Sequence, residues 1–163
     1  MKALDVETLV FDPFLPDEEA KRLGVEKTSL ERVFSECSVV TNHMANNEQT
    51  RGMLTGRLFA SMLPHATFIN TGRGAQVVES EMTAVLKARS DLTVLLDVTY
   101  PEPPEEGSEL YSLENVVLTP HIAGSRSNEV RRMGRYMAEE FFAFSQGRPC
   151  RYEVTAKMLE TMA

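Results

Sequence analysis

The sequence predicts an α/β fold built on a parallel sheet. Short, nearly continuous apolar runs alternate with helical stretches along the chain, which is the pattern of strands joined by crossover helices. The runs are rich in β-branched and aliphatic residues, as expected of strands that are covered on both faces. With 163 residues, 42% of them hydrophobic and 25% charged, the chain has the size and composition of a single globular domain.

The predicted strands are Thr8–Phe11, Ser38–Asn42, Thr67–Asn70, Thr93–Leu96 and Val116–Leu118. The predicted helices are Asp17–Leu23, Ser29–Ser35, Thr55–Met62, Glu79–Ala88 and Asn128–Phe144. The last helix is predicted by apolar side chains that recur at steps of three and four and share one face: Val130, Met133, Met137, Phe141 and Phe144. Gly147 and Pro149 then end this helix.

Charge and composition exclude several classes of partner. The balance of 17 Lys+Arg against 24 Asp+Glu argues against a nucleic-acid surface, which needs a basic face. No apolar stretch approaches the about 20 residues that a membrane span requires. Cys37 and Cys150 lack the CxxC spacing of a zinc site, so no metal is expected and both thiols are predicted to stay reduced. We therefore predict a cytoplasmic protein.

The last predicted helix leaves one question open. Its polar face carries Arg131, Arg132 and Arg135. A phosphate-binding patch is one interpretation of these side chains, and the sequence favours the other, an ordinary solvated helix face.

Chemically active side chains follow four of the predicted strands. Asp12 follows the first strand, Arg73 the third, Asp97 and then Glu102 the fourth, and His121 the fifth. Because the carboxyl ends of parallel strands meet at one edge of a sheet, where ligands bind, we expect these side chains to share a crevice.

That combination suits the chemistry of a 2-oxo or 2-hydroxy acid. An imidazole such as His121, held by a carboxylate on one nitrogen, exchanges a proton through the other. The guanidinium of Arg73 matches a substrate carboxylate, and Gly72 and Gly74 beside it are expected to permit unusual backbone angles and the close approach of a ligand. Taken singly, each residue also has an ordinary structural interpretation. Their occurrence at successive strand ends favours the chemical one.

Three motifs carry a family resemblance. They are Asn70-Thr71-Gly72-Arg73-Gly74, Leu96-Asp97-Val98 followed by Glu102-Pro103, and Leu118-Thr119-Pro120-His121-Ile122-Ala123-Gly124-Ser125. In this order they resemble the D-isomer-specific 2-hydroxyacid dehydrogenases, which include phosphoglycerate dehydrogenases and glyoxylate/hydroxypyruvate reductases. Upstream, His43 with Gln49-Thr50-Arg51-Gly52-Met53 looks like the cofactor-contacting loop of that family.

The resemblance implies an NAD-dependent oxidoreductase acting on a small 2-oxo or 2-hydroxy acid. It gives His121 the role of acid and base, Glu102 that of its orienting partner, and Arg73 that of the carboxylate-binding group. Asp97 would hold the nicotinamide carboxamide, and Asp12 would bind the adenosine ribose and favour NAD over NADP. The implied cofactor-binding set is Asp12, His43, Thr71, Gly72, Arg73, Asp97, His121 and Gly124.

The resemblance also implies how the chain is organised. The family's Gly-x-Gly-x-x-Gly loop does not occur in the sequence, so a partial Rossmann-type sheet lacking its first strand-helix unit is expected. Residues 1–125 would form an incomplete NAD-binding domain, and residues 126–163 a long connecting helix with a C-terminal remnant of the substrate domain. On this basis the chain alone is expected to be an inactive fragment of a homodimeric enzyme.

Some positions depart from the family, and alternative functions remain. Ala45 and Asn47 stand where proline and threonine are usual, and Arg126 stands where threonine is common. Glu102 separates the chain from the formate dehydrogenase branch, which has glutamine there. The alternatives are an NAD-sensing, corepressor-like binding protein of the same fold and a pseudo-domain that serves only as an assembly surface.

Overall fold

A computed structural model describes residues 5–159, and its central element is a four-stranded parallel sheet. The sheet order is β3-β4-β5-β6, with β3 at Val39–Asn42, β4 at Thr67–Asn70, β5 at Thr93–Leu96 and β6 at Val116–Leu118. The last residues of the strands are in register, with Asn42 opposite Asn70, Asn70 opposite Leu96 and Leu96 opposite Leu118. All four strands therefore end at the same level.

The first predicted strand lies elsewhere, which corrects one expectation. It is β1 at Leu9–Val10, and it pairs in parallel with β2 at Glu26–Lys27 in a separate two-stranded sheet. Asp12 therefore does not follow a strand of the four-stranded sheet. Strand β2 escaped sequence analysis because its two residues are polar and exposed and show no apolar run.

Helices lie before, between and after the strands of the main sheet. Their bounds are α1 Asp17–Leu23, α2 Leu30–Glu36, α3 Gly56–Ser61, α4 Glu79–Ala88, α5 Asn128–Ser145 and α6 Ala156–Leu159, with short 3₁₀ helices at Gly74–Gln76 and Glu109–Tyr111. Ser29 caps α2 by accepting a hydrogen bond from Arg32 N at 3.2 Å. The α/β fold class and the long C-terminal helix are confirmed.

The core joins the helices to the sheet through a cluster of three aromatic rings. Phe59 of α3 makes edge-on contacts with Phe34 of α2 and Phe68 of β4, with centroid separations of 5.5 and 5.0 Å. All three are fully buried. Around them pack Val40, Leu54, Leu58, Met62, Met82, Leu86, Leu92, Val94, Leu96 and Leu110. This packing fixes the sheet, and with it the strand ends that carry the polar side chains.

Helix α5 has no buried residue, although its predicted apolar face is present. Phe144, for example, is 74% exposed. The following segment folds back on the helix, because Arg151 N and Tyr152 N donate to the Glu140 carboxylate at 3.1 and 2.9 Å. Across residues 5–159, no helix combines the length and apolar character needed to cross a bilayer.

Gly74 brings two loops into direct contact. A Cβ built at Gly74 would lie 2.0 Å from the carbonyl carbon of Thr99 and 2.1 Å from its oxygen. Neither Gly72 nor Gly74 has a positive φ, so the expected unusual backbone angles are absent. The close approach at Gly74 is made by the chain itself, because the loop after β4 packs on the segment after β5.

We predict that Gly74→Ala destabilises this chain by about 3 kcal/mol or more, because backbone atoms cannot move aside as a side chain can. The measurement is urea unfolding followed by far-UV circular dichroism. Gly134→Ala is the matched control, since a Cβ there meets nothing within 4 Å and the residue lies inside α5. Gly134→Ala should be neutral or stabilise the chain by about 0.5–1 kcal/mol. Equal effects of the two substitutions would contradict the prediction.

Candidate active site

Three adjacent strands bring the predicted catalytic side chains to one edge of the sheet. Arg73 lies in the loop after β4, Glu102 in the loop after β5, and His121 in the loop after β6. Because these strands are neighbours and end in register, their loops are also neighbours. The sheet topology alone therefore collects a guanidinium, a carboxylate and an imidazole.

Glu102 and His121 form a direct pair. His121 Nδ1 lies 2.6 Å from Glu102 Oε1, and the two side chains are 49% and 40% exposed. No hydrogen bond joins Nε2 of His121 to another residue of the described chain, 5–159. The carboxylate thus fixes the orientation of the ring through Nδ1, while Nε2 remains available to a ligand.

Asp97 anchors the loop that carries His121. Its Oδ1 accepts hydrogen bonds from Ile122 N at 2.8 Å and from the hydroxyl of Thr119, and its Oδ2 accepts one from Ala123 N at 2.7 Å. His121 itself has a φ of +50°, an uncommon conformation for a residue with a side chain. The three hydrogen bonds to one carboxylate hold the backbone in that conformation.

The same hydrogen bonds control the ionisation of Asp97, which is 7% exposed. Burial disfavours the charged carboxylate, but the backbone and hydroxyl donors outweigh that cost. As a result, the pKa of Asp97 is lower than the ordinary value for an aspartate. Asp97 is therefore charged at neutral pH, and most of its hydrogen-bonding capacity is used by the chain itself.

Arg73 lies on the neighbouring loop, and its side chain is exposed. Its Nη1 donates to the carbonyl oxygen of Gly72 at 2.7 Å. Within residues 5–159, no hydrogen bond or ion pair joins this guanidinium to Glu102 or His121. The structure thus places Arg73 on the same sheet edge as the His121–Glu102 pair, and the described residues show no hydrogen bond or ion pair between them.

Two further residues of the expected cofactor set meet at the ends of β3 and β4. Thr71 Oγ1 lies 3.4 Å from His43 Nδ1, and Thr41 Oγ1 lies 2.9 Å from His43 Nε2. Gly72 is buried beside them, whereas Gly124, after His121, is exposed with open space where a Cβ would stand. His43 and Thr71 are thus brought together, and Gly124 borders solvent.

Asp12 stands apart from this group, in the loop after β1. Its Oδ1 accepts a hydrogen bond from Phe14 N at 2.8 Å, which closes an Asx turn. No hydrogen bond to Oδ2 is made by any residue of the described part of the chain. One oxygen of Asp12 therefore shapes the loop, and the other is available to a ligand.

The loop after β3 keeps an ordered shape despite its departures from the family. Asn47 Oδ1 accepts from the backbone N–H groups of Gln49 and Thr50, each at 3.0 Å. Thr50 Oγ1 in turn donates to the carbonyl oxygen of Ala45 at 2.6 Å. Asn47 therefore caps this turn as a hydroxyl residue would.

Sequence reasoning missed a contact that ties this loop to the one carrying Glu102. Arg51 Nη2 donates to Tyr100 Oη at 3.0 Å, and the guanidinium carbon lies 5.2 Å from the ring centroid. Tyr100 N donates to Glu79 Oε2 at 3.4 Å, and burial raises the pKa of that carboxyl. Arg51 lies within a recognised motif, but no sequence signal links it to Tyr100.

An open cleft of about 620 Å³ lies beside His121. It is lined by His121, Gly124, Ser125, Val130, Met133, Gly134 and Met137. No group of three His, Cys, Asp or Glu side chains within residues 5–159 is arranged to hold a metal ion. The cleft gives a small organic molecule room next to the imidazole.

The comparison with protein families is specific. The model of the D-isomer-specific 2-hydroxyacid dehydrogenase NAD-binding domain matches residues 1–123. This match covers more than half of the chain and includes the loops that carry Arg73, Glu102 and His121. The family predicted from the motifs, and NAD as its cofactor, are confirmed.

Curated relatives agree with that match. D-3-phosphoglycerate dehydrogenase of Archaeoglobus fulgidus is 31% identical over 159 residues, covering 98% of this chain and 30% of that protein. Glyoxylate reductase of Korarchaeum cryptofilum is 35% identical over 147 residues, covering 90% and 44%. The chain thus spans less than half the length of these relatives.

Solved structures confirm the Rossmann-type fold. The TT0316 protein of Thermus thermophilus has a TM-score of 0.81 at 29% identity, covering 94% of this chain and 48% of that chain. A D-isomer-specific 2-hydroxyacid dehydrogenase of Xanthobacter autotrophicus, in complex with NADPH and MES, has a TM-score of 0.71 at 26% identity, covering 94% and 62%.

We predict that Asp97→Asn destabilises this chain by about 1–3 kcal/mol at pH 7, because two backbone N–H groups and a hydroxyl lose their charged acceptor. A carboxyl whose pKa is lowered in the folded state contributes stability above its unfolded pKa, and that stability is lost as the pH falls through its folded pKa. The difference in unfolding free energy between the two proteins should therefore be largest at neutral pH and shrink below about pH 4.

The measurement is urea unfolding of both proteins at a series of pH values from neutral to acidic. Asp17→Asn is the control, because the Asp17 side chain is 81% exposed, and it should change the unfolding free energy by less than about 0.5 kcal/mol. A pH-independent difference between the unmodified chain and Asp97→Asn would show that the charge of Asp97 does not anchor the loop.

Proposed function

This chain belongs to the D-isomer-specific 2-hydroxyacid dehydrogenase family, and from that premise we propose that the full-length protein transfers a hydride between NAD(H) and a small 2-oxo or 2-hydroxy acid. The observation that carries this proposal is the 2.6 Å contact between His121 Nδ1 and Glu102 Oε1 at the carboxyl edge of the sheet. An imidazole held in this way is equipped to transfer a proton through Nε2.

In the reducing direction, Arg73 binds the carboxylate of the 2-oxo acid with its planar guanidinium and so fixes the carbonyl carbon. Protonated His121 donates its Nε2 proton to the carbonyl oxygen as negative charge develops there. Glu102 holds the ring and stabilises the imidazolium before the proton leaves. Oxidation of the 2-hydroxy acid uses the same groups, with His121 accepting the proton.

The side chains at the sheet edge, together with Asp12 in the separate loop after β1, support the binding of a nicotinamide dinucleotide. Asp12 Oδ2 suits a ribose hydroxyl, Asp97 Oδ2 retains acceptor capacity for a carboxamide N–H, and Gly124 leaves open space. His43, Thr71 and Gly72, with Arg73 and His121, complete the proposed contacts. When bound, the nicotinamide supplies or accepts the hydride.

The relatives support the proposed substrate class. The names glyoxylate reductase and D-3-phosphoglycerate dehydrogenase describe proteins acting on small acids that carry an oxo or hydroxy group beside a carboxylate. The cleft beside His121, with its three apolar side chains Val130, Met133 and Met137, accommodates a substituent of modest size.

The proposed organisation places an NAD-binding domain at residues 1–125 and a connecting helix with part of a substrate domain at 126–163. The end of the family match at residue 123 supports this division. The exposed apolar side chains of α5 support a homodimer, because a second copy would cover them. Free thiols at Cys37 and Cys150 support a cytoplasmic location.

We predict that His121→Asn lowers kcat of the full-length protein by about 10²–10⁴, the usual contribution of a positioned proton donor. The assay is NADH oxidation with glyoxylate or hydroxypyruvate. His65→Asn is a closely matched control, because His65 is also exposed and has a φ of +61° against +50° for His121. Asparagine tolerates this conformation, so folding should survive in both variants.

Unchanged turnover in His121→Asn would remove His121 from the reaction. No NADH oxidation by the unmodified protein with any of several 2-oxo acids would overturn the proposed activity. If NADH then changed its oligomeric state, the corepressor-like sensor would be the better description.

We predict that Asp12→Asn lowers the preference for NADH over NADPH, measured as the ratio of kcat/KM values, by about tenfold. The carboxylate charge opposes a 2′-phosphate, whereas asparagine keeps the oxygen that accepts from Phe14 N and replaces the charged Oδ2 by an uncharged amide nitrogen. Glu114→Gln, at an exposed site before β6, is the control and should leave the ratio unchanged. An unchanged ratio in Asp12→Asn would mean that Asp12 does not face the ribose.

A further inference from the structure

Three buried amide side chains form a hydrogen-bonded cluster beneath the loops after β3 and β4. Asn42 Nδ2 donates to Asn70 Oδ1 at 3.0 Å and to Gln76 Oε1 at 2.5 Å. The exposed fractions of Asn42, Asn70 and Gln76 are 5%, 0% and 0%. We call these residues the amide cluster.

The amide cluster forms hydrogen bonds with both the N–H and the carbonyl group of Arg73. Arg73 N donates to Gln76 Oε1 at 3.2 Å, and Asn70 Nδ2 donates to the carbonyl oxygen of Arg73 at 3.2 Å. Asn70 Oδ1 also accepts from Gly72 N at 3.0 Å. The peptide groups that flank the Arg73 side chain are therefore set by buried side chains.

The other end of the cluster holds the loop after β3. Gln76 Nε2 donates to the carbonyl oxygens of Met44 and Ala45 at 2.8 and 2.9 Å, and Asn42 Oδ1 accepts from Met44 N at 3.1 Å. The Gln76 side chain thus joins the loop bearing Arg73 to the loop after His43.

Because the amide cluster is buried, each of its polar atoms needs a hydrogen-bond partner within the protein. An amide placed in the interior costs free energy unless its donors and acceptors all find partners, and an apolar residue would fill the same space without that requirement. Every buried side-chain nitrogen and oxygen within residues 5–159 has a partner. The amide of Gln76 therefore serves to bind specific backbone atoms, namely Arg73 N and the carbonyl oxygens of Met44 and Ala45.

We propose that Gln76, supported by Asn42 and Asn70, is a positioning residue that aims the Arg73 guanidinium at the substrate carboxylate. This inference rests on the proposed role of Arg73 in the function given above. Gln76 acts through the Arg73 backbone and does not touch the substrate. Without the Gln76 amide, the Arg73 N–H would lose its acceptor. The backbone at Arg73 would then be less fixed, and the guanidinium would adopt several orientations instead of one.

The test is a double-mutant cycle in the full-length protein, with binding of oxamate at saturating NADH measured by quenching of NADH fluorescence. Oxamate presents a carboxylate beside a carbonyl, as a 2-oxo acid does. Gln76→Met keeps the length of the side chain and removes its amide. It should weaken oxamate binding about tenfold to hundredfold when Arg73 is present. In an Arg73→Ala background the same change should stay within about twofold.

Asn115→Leu is the matched control. Asn115 Nδ2 also donates to two backbone carbonyls, those of Leu86 and Arg89 at 3.1 and 3.2 Å, but it touches neither loop. Oxamate binding should stay within about twofold of the unmodified protein. If Gln76→Met does not fold, Gln76→Asn, which withdraws the amide by one carbon, should show the same dependence on Arg73 with a smaller amplitude.

The measurements distinguish a failure of the role proposed for Gln76 from a failure of the role proposed for Arg73. An equal loss of oxamate binding on changing Gln76 in both backgrounds would overturn the positioning role, since a general structural defect does not depend on Arg73. Unchanged oxamate binding in Arg73→Ala alone would overturn the proposed function of Arg73, and with it this inference.

Discussion

The site depends on the carboxylate of Asp97 and the donors that it collects. This side chain lies directly after β5, yet it organises the loop after β6 through Thr119, Ile122 and Ala123. Its charge survives burial because backbone N–H groups replace the lost water. Within that loop His121 has a positive φ, which residues with a side chain rarely adopt, so a buried carboxylate stabilises the backbone that orients an exposed imidazole.

The order of the strands determines where the loops that carry Arg73, Glu102 and His121 lie. Since β4, β5 and β6 are consecutive in the sheet and end level with one another, each loop needs only a few residues to reach its neighbour. The buried aromatic rings of Phe34, Phe59 and Phe68 hold this frame against the helices. The aromatic core thus holds the strand ends in place. The exposed side chains in the loops after β4, β5 and β6 therefore need few contacts of their own to stay near one another.

Much of the fold followed from sequence because its signals are local. The runs at Thr67–Asn70, Thr93–Leu96 and Val116–Leu118 became strands with the predicted bounds, since continuous apolar stretches report burial on both faces. Strand β2 was missed because pairing with β1 recruits two polar residues that carry no such signal. The motifs also placed Glu102 beside His121. The roles of Gln76 and Asp97 as backbone anchors were missed, because their partners lie up to 32 residues away in sequence and no periodicity encodes them.

The packing of Gly74 on the Thr99 backbone has a mechanical consequence. With no side chain between them, the two loops have no layer of rotatable bonds that can absorb a relative shift. We therefore expect a displacement of the backbone at Gly74 to shift the backbone at Thr99 with it. The absence of a single methyl group thus couples the loop that carries Arg73 mechanically to the loop that carries Glu102.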